Sequence, residues 1–215
     1  MICKGMEFGM EKEEMDFRIA MLQEEIRGEL ADLEKKMLKP MKDEQKYLAA
    51  LESRLRQAKW ANKKFDLHAA PHPRMVKQRE IFYCELGQNI GSEQDGRRPV
   101  VILQNNVGNA HAKITLIAPI TSFQQGSIKN IDGQLYLEDR RGSQIIMTPL
   151  RFYDIPLELE PTSKYNIYGV VNISQIRVIS KSRLALTPVA TITESNYEKI
   201  VEAIDTNLSI FERRG

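Results

Sequence analysis

The sequence predicts a small antiparallel β barrel or sandwich closed by one carboxy-terminal helix and preceded by a long helical, coiled-coil-like extension. Three observations predict it. Residues 10 to about 63 hold strong helix formers, with Gly28 and Pro40 as the only breakers. Past Met75 short β-branched runs recur between Gly, Asn, Asp, Pro and Ser clusters. No helical period interrupts those runs until the last twenty or so residues, which argues against a parallel α/β sheet. The chain therefore divides into an extension and linker over residues 1–70 and a β-rich domain over residues 75–215.

In the extension, Met15, Ile19, Leu22, Ile26, Leu30, Leu33, Met37, Met41, Leu48, Leu51 and Leu55 follow one another at helical spacing and share one face. The phase persists through Pro40, which predicts one kinked helix about 80 Å long at 1.5 Å per residue; two helices meeting at Lys39 are the alternative. Met1 to Glu34 holds ten acids and four bases, net −6, and Lys35 to Lys64 three acids and ten bases, net +7. An antiparallel partner would set acid against base, which suits either a homodimeric coil or a folded-back hairpin. The stretch "FDLHAAPHPRM" after Lys64 reads as a linker. Its His68 and His72 are four apart, but Pro71 and Pro73 break the helix that metal ligation at that spacing would need.

The expected strands are "REIFYCEL", "RPVVILQN", "KITLIAPITS", "QIIMT", "YGVVNI" and "IRVIS". The closing helix, "SNYEKIVEAIDTNLSIFERR", is expected to start at Ser195 with Glu198 at capping-box spacing and to bury Tyr197, Ile200, Val201, Ile204 and Leu208.

Bulk properties narrow the function. With 42% hydrophobic residues the chain can bury a sizeable core, and a net charge of +2 is too small to bind nucleic acid except through a local patch. Two cysteines, Cys3 and Cys84, lie outside any zinc or disulfide spacing and fit a reducing compartment. No apolar run reaches the roughly 20 residues of a membrane span and no signal peptide opens the chain, so the cytoplasm is expected.

The residues that carry chemistry begin at "GSEQDGRRPVVILQN", Gly91 to Asn105, where two arginines stand directly before an apolar strand. The whole stretch "VKQREIFYCELGQNIGSEQDGRRPVVILQNNVGNAHAKITLIAPITS", with "ISQIRVISKSRL" further on, resembles the MazF/PemK family of toxin endoribonucleases from Met75 to about Leu184. The resemblance implies an SH3-like barrel of the MazF/CcdB kind. It implies a homodimer that cuts single-stranded RNA at selected sequences, without cofactor or metal, by attack of the 2′-hydroxyl on the neighbouring phosphate. A small antitoxin with an acidic tail would restrain it and bind DNA with it. Carried over by position, Arg98 and Thr121 are the catalytic residues; Ser92, Glu93, Gln94 and Gln175 line the RNA groove.

The chemistry of those residue types supports the assignment independently. A guanidinium offers paired donors that match phosphate oxygens and keeps its charge, so Arg98 suits charge stabilisation and is a poor general base. Thr121 can donate to the same phosphate. The base is unassigned: His111 sits in a polar turn, and Glu93 is placed to orient Arg98. Arg97, Asn106 and Pro119 depart from the family pattern. The stretch from Gln124 to Leu150 is longer than the usual connection and predicts an extra hairpin beside the groove, with Arg140 and Arg141 at its turn. Two competing readings stand: a non-catalytic interaction protein using the barrel as scaffold and the arm for partner binding, and a gyrase poison like CcdB. The second is disfavoured because the sole tryptophan, Trp60, lies in the arm rather than at the carboxy terminus.

Overall fold

A computed structural model describes residues 12–69, 75–141 and 143–209. The chain divides into two compact units, Met1–Lys59 and Trp60–Gly215.

In the first unit, helix α1 spans Lys12–Met37 and α2 spans Glu44–Ala69, its last turns belonging to the second unit. The single long helix is not formed. Pro40 has no N–H to give and pushes Lys39 out of the helical region. Asp43 then starts a new helix, its Oδ1 accepting the Lys46 N–H at 3.0 Å. Arg54 takes two of the carbonyls left over at the break, donating from Nη1 to Met37 O at 2.7 Å and to Lys39 O at 3.3 Å. The last turns of α1 and the middle of α2 line an apolar groove of about 570 Å³ through Leu30, Leu33, Met37, Leu48, Leu51 and Leu55. The apolar stripe is otherwise largely in water: Leu22, Ile26 and Leu30 are each about half exposed. Helix α2 also consumes the start of the expected linker, running through Phe65 to Ala69. His72 lies outside the described residues. No described helix is long and apolar enough to cross a membrane.

The second unit is a curled antiparallel sheet. Strands β1 (Glu80–Gly87), β2 (Gly96–Ile102) and β3 (Ile114–Ser122) pair in sequence. Six-residue helix α3 (Asn106–His111) joins the last two, its cap Asn105 accepting the Gly108 N–H at 2.7 Å. Strand β3 is long enough to bend and change partners. Ile114–Ile117 pairs with β9 (Arg177–Ser180), and Ile120–Ser122 with β8 (Gly169–Asn172). Strands β7 (Asp154–Pro156) and β10 (Ala190–Thr191) complete the edges, and an isolated Cys84–Leu184 bridge brings the chain after β9 back to β1.

Curling buries both faces, which is why "PVVI" in β2 is apolar without alternation. One face packs Ile81, Val101, Ala118, Ile120 and Val171 under α4 (Glu194–Leu208), whose Ile200 and Ala203 enter that core. The other packs Phe82, Cys84, Val100, Ile102, Ile117 and Leu184 inside the curl. The cap of α4 is Thr193, not Ser195: its hydroxyl accepts the Asn196 N–H at 3.0 Å. Starting two residues earlier, the helix buries Asn196, Ile200 and Ala203 and leaves Val201 and Leu208 outward. Asn196 earns its burial by accepting from Glu158 N and donating to Pro156 O at 2.8 Å.

The long connection after β3 is a three-stranded antiparallel sheet, not a hairpin: β4 (Ile128–Ile131), β5 (Gln134–Arg141) and β6 (Gln144–Pro149). Asp132 and Gly133, at φ 51° and 87°, make the two-residue turn between β4 and β5, the conformation for which Asp-Gly is preferred.

Candidate active site

Adjacent strand residues point to opposite faces, and this separates the two arginines. Arg97, paired with Glu85 on β1, lays its guanidinium 5.2 Å from the centre of the Tyr83 ring and 3.8 Å from Glu85 Oε1. It is a satisfied surface cation. Arg98, paired with Cys84, turns toward the mouth of the curl with its side chain 36% exposed. Its Nε donates to Asp95 O at 2.6 Å and its Nη2 stands 3.8 Å from Asp95 Oδ1. Asp95, not Glu93, therefore orients Arg98. Cys84 is buried; desolvation pushes its thiol up to about 12, with Arg183 pulling the other way, so it offers no thiolate at neutral pH.

Thr121 arrives from the neighbouring strand. Strands β2 and β3 pair Val100 with Pro119, and by strand alternation Arg98 and Thr121, each two residues past that last pair, fall on the face of Val100 and Pro119. The approach of β8 holds Thr121 in place: a side chain at Gly169 would put a Cβ 2.4 Å from Thr121 O. Glycine is needed there for close packing.

The loop between β1 and β2 folds down onto this pair. Gln94 Nε2 donates to Thr121 Oγ1 at 2.9 Å, leaving the threonine O–H to donate elsewhere. Gln175 grips the loop twice, accepting the Gln94 N–H at 3.2 Å and donating to Ser92 O at 3.3 Å. Gln94 O accepts from Asn89 Nδ2 at 2.6 Å and from Arg177 Nη2 at 2.8 Å. Gln94 Oε1 is buried with no hydrogen-bond partner.

Thr121, Ser92, Gln94 and Gln175 thus meet in one hydrogen-bonded cluster, while Arg98 is held separately by Asp95 and Glu93 is exposed. Arg177, Asp95 and Asn89 are members that sequence reasoning missed. Arg177 opens β9, two residues after Gln175 ends a 3-10 turn, and no period in the sequence links the two. His111 does not sit in a turn. It ends α3, exposed, ahead of Ile114, and seven residues of β3, about 23 Å, separate Ile114 from Thr121. Arg140 lies near the end of β5, its Nε 2.8 Å from Glu138 Oε1, and the Arg141 side chain lies outside the described residues. No three His, Cys, Asp or Glu side chains converge among the described residues.

Comparison with known proteins places this arrangement. Residues 77–208 match the family described as PemK-like, MazF-like toxin of type II toxin-antitoxin system. Endoribonuclease EndoA of Bacillus subtilis is 24% identical over 141 residues, covering 64% of this chain and 98% of that protein. Endoribonuclease MazF of Staphylococcus epidermidis is 27% identical over 139 residues, covering 63% and 93%. Among solved structures, MazF from Deinococcus radiodurans aligns over 63% of this chain and 97% of its own, at 17% identity and a TM-score of 0.43. A mycobacterial endoribonuclease in complex with its cognate antitoxin aligns over 63% and 94%, at 17% identity and a TM-score of 0.37. With the family match spanning well over half its length, the chain belongs to the PemK-like, MazF-like toxins of type II toxin-antitoxin systems.

Proposed function

We propose that the protein is a metal-independent, sequence-selective endoribonuclease for single-stranded RNA, the toxin of a toxin-antitoxin pair. Its activity resides in residues 75–215, working as a homodimer and held in check by a small antitoxin. The observation that carries the reading is the guanidinium of Arg98, fixed by Asp95, on the same sheet face as the Thr121 hydroxyl.

Cleavage forms a bond from the 2′-oxygen to phosphorus and breaks the bond from phosphorus to the 5′-oxygen. A proton leaves the first oxygen and one is delivered to the second, while negative charge builds on the phosphorane oxygens. Arg98 meets that charge with its Nη groups while Asp95 holds its Nε edge. The Thr121 O–H donates to the same phosphate, its oxygen already accepting from Gln94. Arg177 adds a second positive charge on the far side of the loop. Ser92, Gln94 and Gln175 form the wall of the RNA groove, and Glu93 faces the strand from outside. These guanidinium and hydroxyl donors supply the electrostatic stabilisation that a metal would otherwise bring.

The test is to incubate the protein with a long unstructured RNA in EDTA beside Arg98→Ala and Thr121→Ala. Cutting in EDTA at a recurrent sequence is expected, leaving cyclic-phosphate and 5′-hydroxyl ends, with kcat at least ~100-fold lower in Arg98→Ala. Cutting that needs an added metal overturns the metal-independent chemistry; cutting that survives Arg98→Ala overturns the site.

A further inference from the structure

The β4–β5–β6 sheet lies within the family match and shares no hydrogen bond with the cluster above among the described residues. Beside it, β3 leads from Thr121 straight into an aromatic pair. Phe123 N–H donates to Tyr168 O at 3.0 Å, so the β3–β8 ladder continues past Thr121–Val170 and sets Phe123 against Tyr168. Two residues beyond Thr121, Phe123 lies on the same face and about 6.6 Å along the strand. Phe123 is half-buried and Tyr168 38% exposed, and both line a recess of about 150 Å³ with Leu157 and Gly169. On its other side Phe123 forms one wall of a cavity of about 560 Å³ whose opposite wall is the β4–β5–β6 sheet, with Gln124, Gln125, Lys129, Glu138 and Arg140.

The charges there are arranged. Glu138 is largely shielded and holds two cations: Arg140 Nε at 2.8 Å and Lys129 Nζ at 3.9 Å. The Arg140 hydrogen bond pulls the Glu138 carboxyl below its ordinary range. The carboxylate takes one edge of the guanidinium and leaves the Nη edge to solvent, the Arg140 side chain being 73% exposed. An aromatic face two residues along the chain from Thr121, two exposed amides and a braced guanidinium around one cavity are the parts that bind an unstacked RNA base and its phosphate.

We propose that Phe123 and the β4–β5–β6 sheet form a base subsite of the RNA groove. The nucleotide next to the scissile phosphate stacks on Phe123, its edge is read by Gln124 and Gln125, and its phosphate is held by Arg140. The subsite rests on the reading of the protein as an RNA-cutting enzyme.

Two measurements test it with full-length protein. Binding is followed by fluorescence anisotropy of a labelled single-stranded RNA made uncleavable by 2′-O-methylation, and cut-site preference is read from a random-sequence RNA pool. Phe123→Ala is expected to weaken binding about tenfold, raise KM without lowering kcat, and flatten the preference at one position beside the cut; Phe123→Trp restores all three. Arg140→Ala is expected to reduce the slope of log affinity against log salt by about 0.7, one phosphate contact on a single strand. Variants that bind and select like the unaltered protein, with their melting temperatures unchanged, overturn the subsite and leave the enzyme standing; so would a sheet that instead captures a protein partner. If the unaltered protein does not bind the RNA, the subsite is overturned. If it binds normally but never cuts, the cleavage chemistry alone fails.

Discussion

Trp60 makes a sharp stability prediction. Its indole lies against the backbone of Gly87, where β1 hands over to the loop that carries Gln94. An added Cβ at Gly87 would stand 2.4 to 2.7 Å from three atoms of the ring. The Arg183 guanidinium sits 5.3 Å from the ring centre and also donates to Leu86 O at 3.1 Å, while Lys63 Nζ meets Glu85 Oε1 at 2.6 Å one turn along α2. Gly87→Ala has two separable costs. The residue has φ +92°, and a side chain in that region costs ~1–2 kcal/mol. The ring must also leave, forfeiting its packing and a cation–π contact worth ~0.5–1 kcal/mol where exposed. Together these come to ~2–4 kcal/mol. In a Trp60→Ala background only the backbone cost remains, so the same substitution should cost ~1–2 kcal/mol and the pair should couple by at least ~1 kcal/mol. Urea unfolding followed by circular dichroism measures the cycle. Trp60 is the only tryptophan, so its emission should shift to the red in Gly87→Ala alone. Equal costs in both backgrounds with unchanged emission would refute the contact.

Gly169→Ala forces β8 away from Thr121 O; a loss of ~1–3 kcal/mol in stability together with slower RNA cleavage is expected, where Gly28→Ala, in open space on α1, leaves cleavage unchanged. Gln175→Ala removes both side-chain grips on the loop, so the Gln94 amide should exchange its hydrogen faster by NMR while the β1 amides do not change. Cys84 sets a pH limit: below the ordinary thiol value of 9.0 both folded and unfolded chains keep the proton, and between there and about 12 only the folded one does. Stability is therefore lost as pH rises through that window, on the order of 4 kcal/mol at about 1.4 kcal/mol per pH unit. Denaturant titrations at pH 8 and pH 10.5 should differ more in the native protein than in Cys84→Ala. Thr193→Ala removes the cap of α4 and should cost about 1 kcal/mol by thermal melting.

Much of the β domain was legible because its strands lie where burial dictates composition: each quoted run became part of a strand, and α4 was found where its period begins. The errors have local causes. Thr193 and Ser195 carry the same capping chemistry, and what decides between them is the extended backbone of Thr193, at φ −65° and ψ 160°. The phase of the apolar stripe across Pro40 is a property of spacing alone; it is blind to Arg54, seventeen residues from Met37, reaching back to the carbonyl that a continuous helix would have used. Strand β4 escaped notice because three of its four residues are exposed and leave no apolar alternation, although the Asp-Gly turn after it was a readable signal.

The site divides along the same line. Arg98 and Thr121 are legible because strand alternation translates sequence position into place: with Val100 paired to Pro119, residues 98 and 121 fall on one face. Gln94 and Gln175, eighty-one residues apart, meet through a loop whose path no period constrains, and only the family pattern named both. Arg177 had neither aid. A lone arginine on a strand reads as a solvated edge charge, and its role appears once its guanidinium is seen on Gln94 O. The same argument explains Arg97, which stood beside Arg98 with equal claim in the sequence. One step along a strand reverses the face, so Tyr83 and Glu85 take one arginine as a structural contact and Asp95 holds the other. Exchanging the two assignments would require a one-residue slip of β2, which would also turn Val100 and Ile102 out of one core and Val101 out of the other. The two packed faces of the curl thereby fix which arginine shares the face of Thr121.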